Sequence, residues 1–219
     1  MSGSPLISVS ELAALPVSER PVLLDVRWQL GGPPGYPEYV DGHIPGASYI
    51  DLETALADPP GPRGRHPLPD PSRFVDAMRR CGVRDDHGVL VYDADTSMAA
   101  ARLWWLLRHY GHQDVRVLDG GYAAWVEEVG TVESGEPTAT PGDFTGQPGH
   151  MPVLDAAGAE RLARDGVLID ARAPERYRGE TEPVDPVAGH IPGAVNMPAT
   201  RNVIGSESPS GGRFNMPDD

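Results

Sequence analysis

The chain has 219 residues and a mass of 23.4 kDa, enough for one large domain or two small ones. Eighteen basic residues, all of them Arg, stand against 32 acidic ones, giving a net charge of −14 and a pI of about 4.8. So acidic a surface repels phosphate backbones and anionic lipid heads, and the lack of Lys excludes Schiff-base and phosphate-loop lysine chemistry.

Along the chain, Val22–Leu24 is a short apolar run ending at Asp25, which predicts a buried strand. Ala47–Ile50 predicts another after a His-Ile-Pro-Gly turn. Residues 72–81 carry apolar side chains at helical spacing, with Ser72 as the expected N-cap and Gly82 as the stop. Val89–Tyr92 reads as a buried strand, Ser97–Tyr110 as a helix closed by Gly111, Val115–Leu118 as a strand and Gly121–Val129 as a short helix. That alternation argues for a parallel sheet covered on both faces, with ligands at the carboxyl ends of its strands. Residues 130–150 are rich in Gly, Pro, Thr and Glu, lack periodicity and read as a linker. A helix over 155–164, a strand over 167–170, a basic segment over 171–179 and a turn over 189–194 follow.

The chain repeats itself. VLLDVRW (22–28) returns as VLIDARA (167–173), and DGHIPGA (41–47) returns as AGHIPGA (188–194). Asp25 and Arg27 map onto Asp170 and Arg172 at an offset of 145, and His43 onto His190 at 147, which predicts a two-residue insertion between the blocks. Matched order predicts tandem domains over 1–130 and 151–219, joined by 131–150. The first copy runs far past its HIPGA turn and the second for only 25 residues, so the second domain is expected to be incomplete.

Cys81 is the one cysteine, so neither a disulfide framework nor a cysteine zinc cluster is expected. It ends a helix and is expected to pack as a small hydrophobe. His109 and His112 have the spacing of a metal pair, but the nearby Gly111 favours a solvated helix end. The N-terminus lacks the pattern of a signal peptide, and the longest apolar run, Met98–Leu107, is interrupted by Arg102 and too short to cross a bilayer. A soluble, cytoplasmic monomer without membrane or nucleic-acid partners is expected.

A strand ending Asp-x-Arg, a GHIPGA turn and VRVLDGGYAAW (115–125), in this order, resemble the rhodanese family of sulfurtransferases. The tandem arrangement is similar to thiosulfate sulfurtransferase and 3-mercaptopyruvate sulfurtransferase. Residues 91–125, with Trp104 and Trp105, resemble the inactive N-terminal half of those enzymes, and 176–198 the catalytic C-terminal half. The resemblance implies an α/β fold of two tandem domains, each an open, mostly parallel sheet flanked by helices. It also implies transfer of sulfane sulfur from a small anionic donor to cyanide or a thiol, through a persulfide on a cysteine in a loop after a strand. No cofactor or metal ion is implied.

In the first copy that loop position holds Asp93, which is no sulfur nucleophile; in the second, the loop is expected beyond Asp219. The chain alone is therefore expected to be inactive. Arg176 is implied as the contact to the donor, since its planar fork suits a sulfonate or carboxylate; without the resemblance it would pair with Glu175 or Glu180. Arg172 is a second candidate for substrate binding, expected to share a helical face with Arg176, though its counterpart Arg27 in the inactive copy favours a structural role. Mercaptopyruvate enzymes commonly carry a second arginine nine residues after the first. Asp185 stands there, which tilts the donor toward thiosulfate. His43 and His190 are expected to bond backbone within their turns, with His43 a candidate for proton transfer at an interdomain cleft. The alternative is a non-catalytic rhodanese-like binding or regulatory module.

Overall fold

A computed structural model describes residues 4–94, 96–204 and 212–215. The first unit runs β1 (Leu6–Ile7), α1 (Val9–Ala14), β2 (Val22–Asp25), α2 (Tyr36–Asp41), β3 (Ser48–Tyr49), α3 (Leu52–Ala55), α4 (Pro71–Arg80), β4 (Val89–Tyr92), α5 (Met98–His109), β5 (Val115–Leu118) and α6 (Gly121–Glu128). Its five strands form one parallel sheet in the order β1-β5-β4-β2-β3. Separate apolar clusters cover the two faces, so all four residues of the central β4 are buried, as a strand with no solvated face requires.

Two local features differ from expectation. Pro71 takes the first position of α4, so the cap is Asp70, whose carboxylate accepts the Arg73 N–H at 3.1 Å, and not Ser72. Ahead of β2, Ser8 and Glu11 close a reciprocal capping box on α1, a six-residue helix beyond the elements expected from apolar spacing.

The segment 131–150 has the irregular backbone expected of a linker, yet it lies along the first unit. Glu133 exchanges backbone hydrogen bonds with His43, and Phe144 is buried in the core against Phe74. At the end of α5, Gln147 N–H donates to Tyr110 O and His150 N–H to His109 O, supplying donors that the last carbonyls of a helix lack. This covering also buries His109 and His112, contrary to the solvated end expected for them. His109 stacks on Trp105, and a ring nitrogen of His112 bonds Arg84 O.

The second unit contains α7 (Ala156–Asp165), β6 (Ile169–Asp170), α8 (Pro174–Tyr177) and β7 (Val195–Asn196), then β8 (Val203–Ile204) and β9 (Arg213–Phe214). β6 pairs with β7 in parallel and β8 with β9 antiparallel. β9 sits against the first unit, where Phe214 N–H donates to Asp119 at 2.8 Å and Arg213 pairs with Glu128. Ile169 and Val195 are half-exposed, whereas Leu23 and Leu24 of the first unit are buried. No helix among the described residues is long and apolar enough to cross a membrane.

Candidate active site

Both copies build the same clamp at the carboxyl end of a strand. Arg27 grips Asp25 with Nε–H to Oδ1 at 3.1 Å and an Nη2 hydrogen to Oδ2 at 2.8 Å, and reaches Gly42 O at 2.6 Å. Arg172 grips Asp170 at 3.0 and 2.6 Å and reaches Gly189 O at 2.6 Å. Above each clamp a tyrosine stacks on the turn histidine, Tyr39 on His43 and Tyr177 on His190, with ring centroids 4.1 and 3.7 Å apart. Each histidine Nδ1 meets the carbonyl of its tyrosine, and each tyrosine hydroxyl donates to the turn alanine, Ala47 or Ala194. These are positioning contacts, tying strand end to turn. His43 Nε2 lies 3.9 Å from Glu133 of the covering segment.

The equivalent tyrosines correct the alignment of the copies. Tyr39 follows Asp25 by 14 residues and precedes His43 by 4, whereas Tyr177 follows Asp170 by 7 and precedes His190 by 13. The two-residue offset is thus the remainder of two opposed length changes. Counted from the tyrosines, Arg176 corresponds to Glu38, and the nine residues 179–187 have no equivalent in the first copy. Arg172 precedes α8, which starts at Pro174, so it does not share a helical face with Arg176.

In the first copy the mouth of the sheet is acidic. Asp93 follows β4 and is buried, its Oδ1 accepting the Ser97 N–H at 2.9 Å and its Oδ2 those of Ala99 and Ala100 at 3.0 and 3.2 Å. Ser97 adopts left-handed φ of 60°, which turns the loop into the first turn of α5. These amides at a helix N-terminus make a cradle for an anion, and here the protein's own carboxylate fills it. Glu38, Asp41 and Arg27 line an adjoining cavity of about 530 Å³, with the Arg27 guanidinium 4.3 Å from the Tyr122 ring centroid. Cys81 is elsewhere. Its Sγ lies 3.7 Å from Tyr49 O, and burial pushes its thiol up to about 11.

In the second copy, Arg176 donates to Glu182 Oε1 at 2.7 Å and Asp185 Oδ2 at 3.0 Å, both from the segment unique to this copy. Glu175 and Glu180 are not its partners; Glu180 pairs with Arg178. Glu182 also accepts the N–H groups of Val184 and Asp185 and lies 3.6 Å from Arg172. The first unit contributes Arg65, which donates to Asp185 at 3.1 Å. Asp170, Arg172, Asp185 and His190 line a cavity of about 680 Å³. No group of three His, Cys, Asp or Glu among the described residues could hold a metal ion.

The Asp185 N–H and the Arg176 guanidinium hold the Glu182 carboxyl at about 2, and Arg172 holds Asp170 below the usual carboxylate range. A carboxylate with a lowered folded value stabilises fully above its unfolded value of about 4.3 and loses that contribution as pH falls through the folded one. The melting temperature should therefore fall between about pH 4.5 and about pH 2, and less steeply in Glu182→Gln. A wild-type profile matching that of Glu182→Gln would remove Glu182 from the acid response.

A five-stranded parallel sheet whose central strand leads into an amide cradle at a helix start, followed by a second copy of its clamp and turn, defines a tandem α/β protein. The model of the rhodanese-like domain matches residues 8–128 and again 155–216, and the chain belongs to the rhodanese family in its tandem-domain form. It is 44% identical over 209 residues to the "Putative thiosulfate sulfurtransferase SseB" of Mycobacterium tuberculosis, covering 90% of this chain and 71% of that one. It is also 44% identical over 224 residues to the "Probable 3-mercaptopyruvate sulfurtransferase" of Pseudomonas aeruginosa, covering 100% and 77%. The crystal structure of the 3-mercaptopyruvate sulfurtransferase SseA from Escherichia coli superposes with a TM-score of 0.83 at 31% identity, covering 98% of this chain and 80% of that one.

Proposed function

We propose that this protein serves sulfur transfer, with Arg176 receiving the anionic donor. In that reaction a cysteine thiolate attacks the outer sulfur of thiosulfate, the S–S bond breaks, sulfite leaves, and the persulfide passes its terminal sulfur to cyanide or a thiol, regenerating the thiolate. The observation that carries the reading is the replacement of Glu38 by Arg176 at equivalent places on α2 and α8. The copy with the carboxylate-filled cradle presents an acid to the mouth, and the other copy presents a guanidinium, whose fork suits a sulfonate or carboxylate.

Thiosulfate and 3-mercaptopyruvate both fit. Asp185 is the ground for preferring thiosulfate, but Arg65 stands against the same carboxylate and provides a second guanidinium from the first unit. Cys81 is not the reacting thiol, being half-buried with a raised pKa away from the cradle. The reading therefore requires a thiolate from outside residues 1–219. These residues alone should show no thiosulfate-to-cyanide transfer above background, and Cys81→Ser should change nothing.

The second reading, a non-catalytic binding module, is favoured by that same Cys81 and by Asp93 in the cradle. Calorimetric titration with thiosulfate and with 3-mercaptopyruvate separates the two. Loss of a charge-assisted contact in Arg176→Ala should cost about 2–3 kcal/mol, or about 30- to 150-fold in Kd. Donor affinity indifferent to Arg176 would leave the module reading standing.

A further inference from the structure

Resting on Arg176 as the donor contact, we propose that Arg65 of the first unit and Arg176 of the second form a two-arginine pincer for a small oxyanion, closed here by the Asp185 carboxylate. The two carboxylates on Arg176 are not equivalent. Glu182 is 5% exposed and fixed by two backbone N–H groups, which makes it part of the frame. Asp185 is 37% exposed and lies between the guanidiniums, 3.0 Å from Arg176 and 3.1 Å from Arg65. It occupies the place that a carboxylate or sulfonate ligand would take. With Asp185 in place, Arg65 and Arg176 are balanced by two carboxylates; when it swings out, one positive charge is uncovered between two forks.

Arg65 is held ready for this role. Its loop joins α3 to α4 and is braced from α5 by Arg102, which donates to Leu56 O at 2.7 Å, His66 O at 3.1 Å and Pro67 O at 3.2 Å. Backbone hydrogen bonds between Gly61 and Gly64 tighten the turn just before it. The Arg65 side chain is about one-third exposed, and its Nη2 hydrogens meet both Asp185 oxygens, at 3.1 and 3.3 Å, so the fork is already aimed at the place the carboxylate holds. Because the two arginines belong to different units, an anion held by both would also tie the units together.

The test is calorimetric titration of the full 219-residue chain at fixed ionic strength, with sodium thiosulfate and with sodium pyruvate. Asp185→Asn should bind at least one of them about tenfold more tightly than the natural chain, and adding Arg65→Ala should remove that gain. Asp185→Ser repeats the test with a second side chain, and Glu180→Gln, which removes a nearby acid outside the pincer, should give no gain. A gain for thiosulfate alone marks a sulfonate-type ligand, and one for pyruvate alone a carboxylate. No tightening in either Asp185 variant, a gain that survives Arg65→Ala, or an equal gain in Glu180→Gln overturns the pincer. Arg176→Ala in the Asp185→Asn chain reports on the other reading. Binding lost there but indifferent to Arg65 sinks the pincer alone, whereas binding kept there sinks Arg176 as the donor contact.

Discussion

Asp93→Ala should lower the stability of the chain by about 3–5 kcal/mol, although it removes a buried charge. The carboxylate accepts N–H groups from Ser97, Ala99 and Ala100 at the start of α5, and burial leaves those donors no easy route to water. An unpaired buried donor costs about 1–3 kcal/mol, and the loss is less than three full penalties because a water can enter the vacated space. Favourable placement of a negative charge at a helix N-terminus is lost as well. Asp93→Asn retains one acceptor oxygen and should lose about half as much. Urea unfolding followed by tryptophan fluorescence measures both. An Asp93→Ala midpoint equal to the natural one would mean that the cradle closes without its carboxylate.

Phe144→Ala is expected to have an effect of similar size, about 3–5 kcal/mol, from a residue in a stretch that looks like linker. The ring is buried with Phe74 and Tyr110 in the larger core cluster, and the neighbouring backbone is pinned by Arg79 Nε–H to Phe144 O at 2.8 Å. The pinned backbone prevents the site from collapsing, so the lost ring leaves a cavity. For a chain of this size the melting temperature should drop by about 10 °C. A residue in a solvated linker would change it by less than about 2 °C, so scanning calorimetry on this one variant decides whether 131–150 is structural.

The parallel sheet could be read because β2, β4 and β5 are continuous apolar runs bounded by turn residues, a pattern that buried strands impose on sequence. β1, with two residues, was too short to announce itself, and α2 is preceded by a Gly-Pro loop without helical spacing. Phe144 was missed because a segment held by backbone hydrogen bonds and one anchor needs no periodicity. At the site, Arg176 and the position of Asp185 stand out by resemblance, but the pairing of Arg176 with Glu182 and Asp185, and Arg65 on the other side of Asp185, do not. Glu182 and Asp185 sit in an insertion that an opposite one before α2 offsets to within two residues, and Arg65 lies 120 residues away from Asp185. A shared Tyr spaced differently from its His in each copy was the one signal able to expose this, and it only becomes a signal once the stacking is known.

The doubled clamp turns the molecule into its own dielectric gauge. Asp25–Arg27 and Asp170–Arg172 have the same two-residue spacing, the same fork geometry and the same third contact to a turn glycine carbonyl. They differ in surroundings, with side chains 0% and 5% exposed in the first copy and 12% and 29% in the second. The response of each pair to added salt should therefore diverge, because screening by mobile ions reaches the outer pair and not the sealed one. A nuclear resonance on each arginine would report both responses in one sample, so the influence of solvent on an ion pair can be separated from its geometry without comparing two proteins.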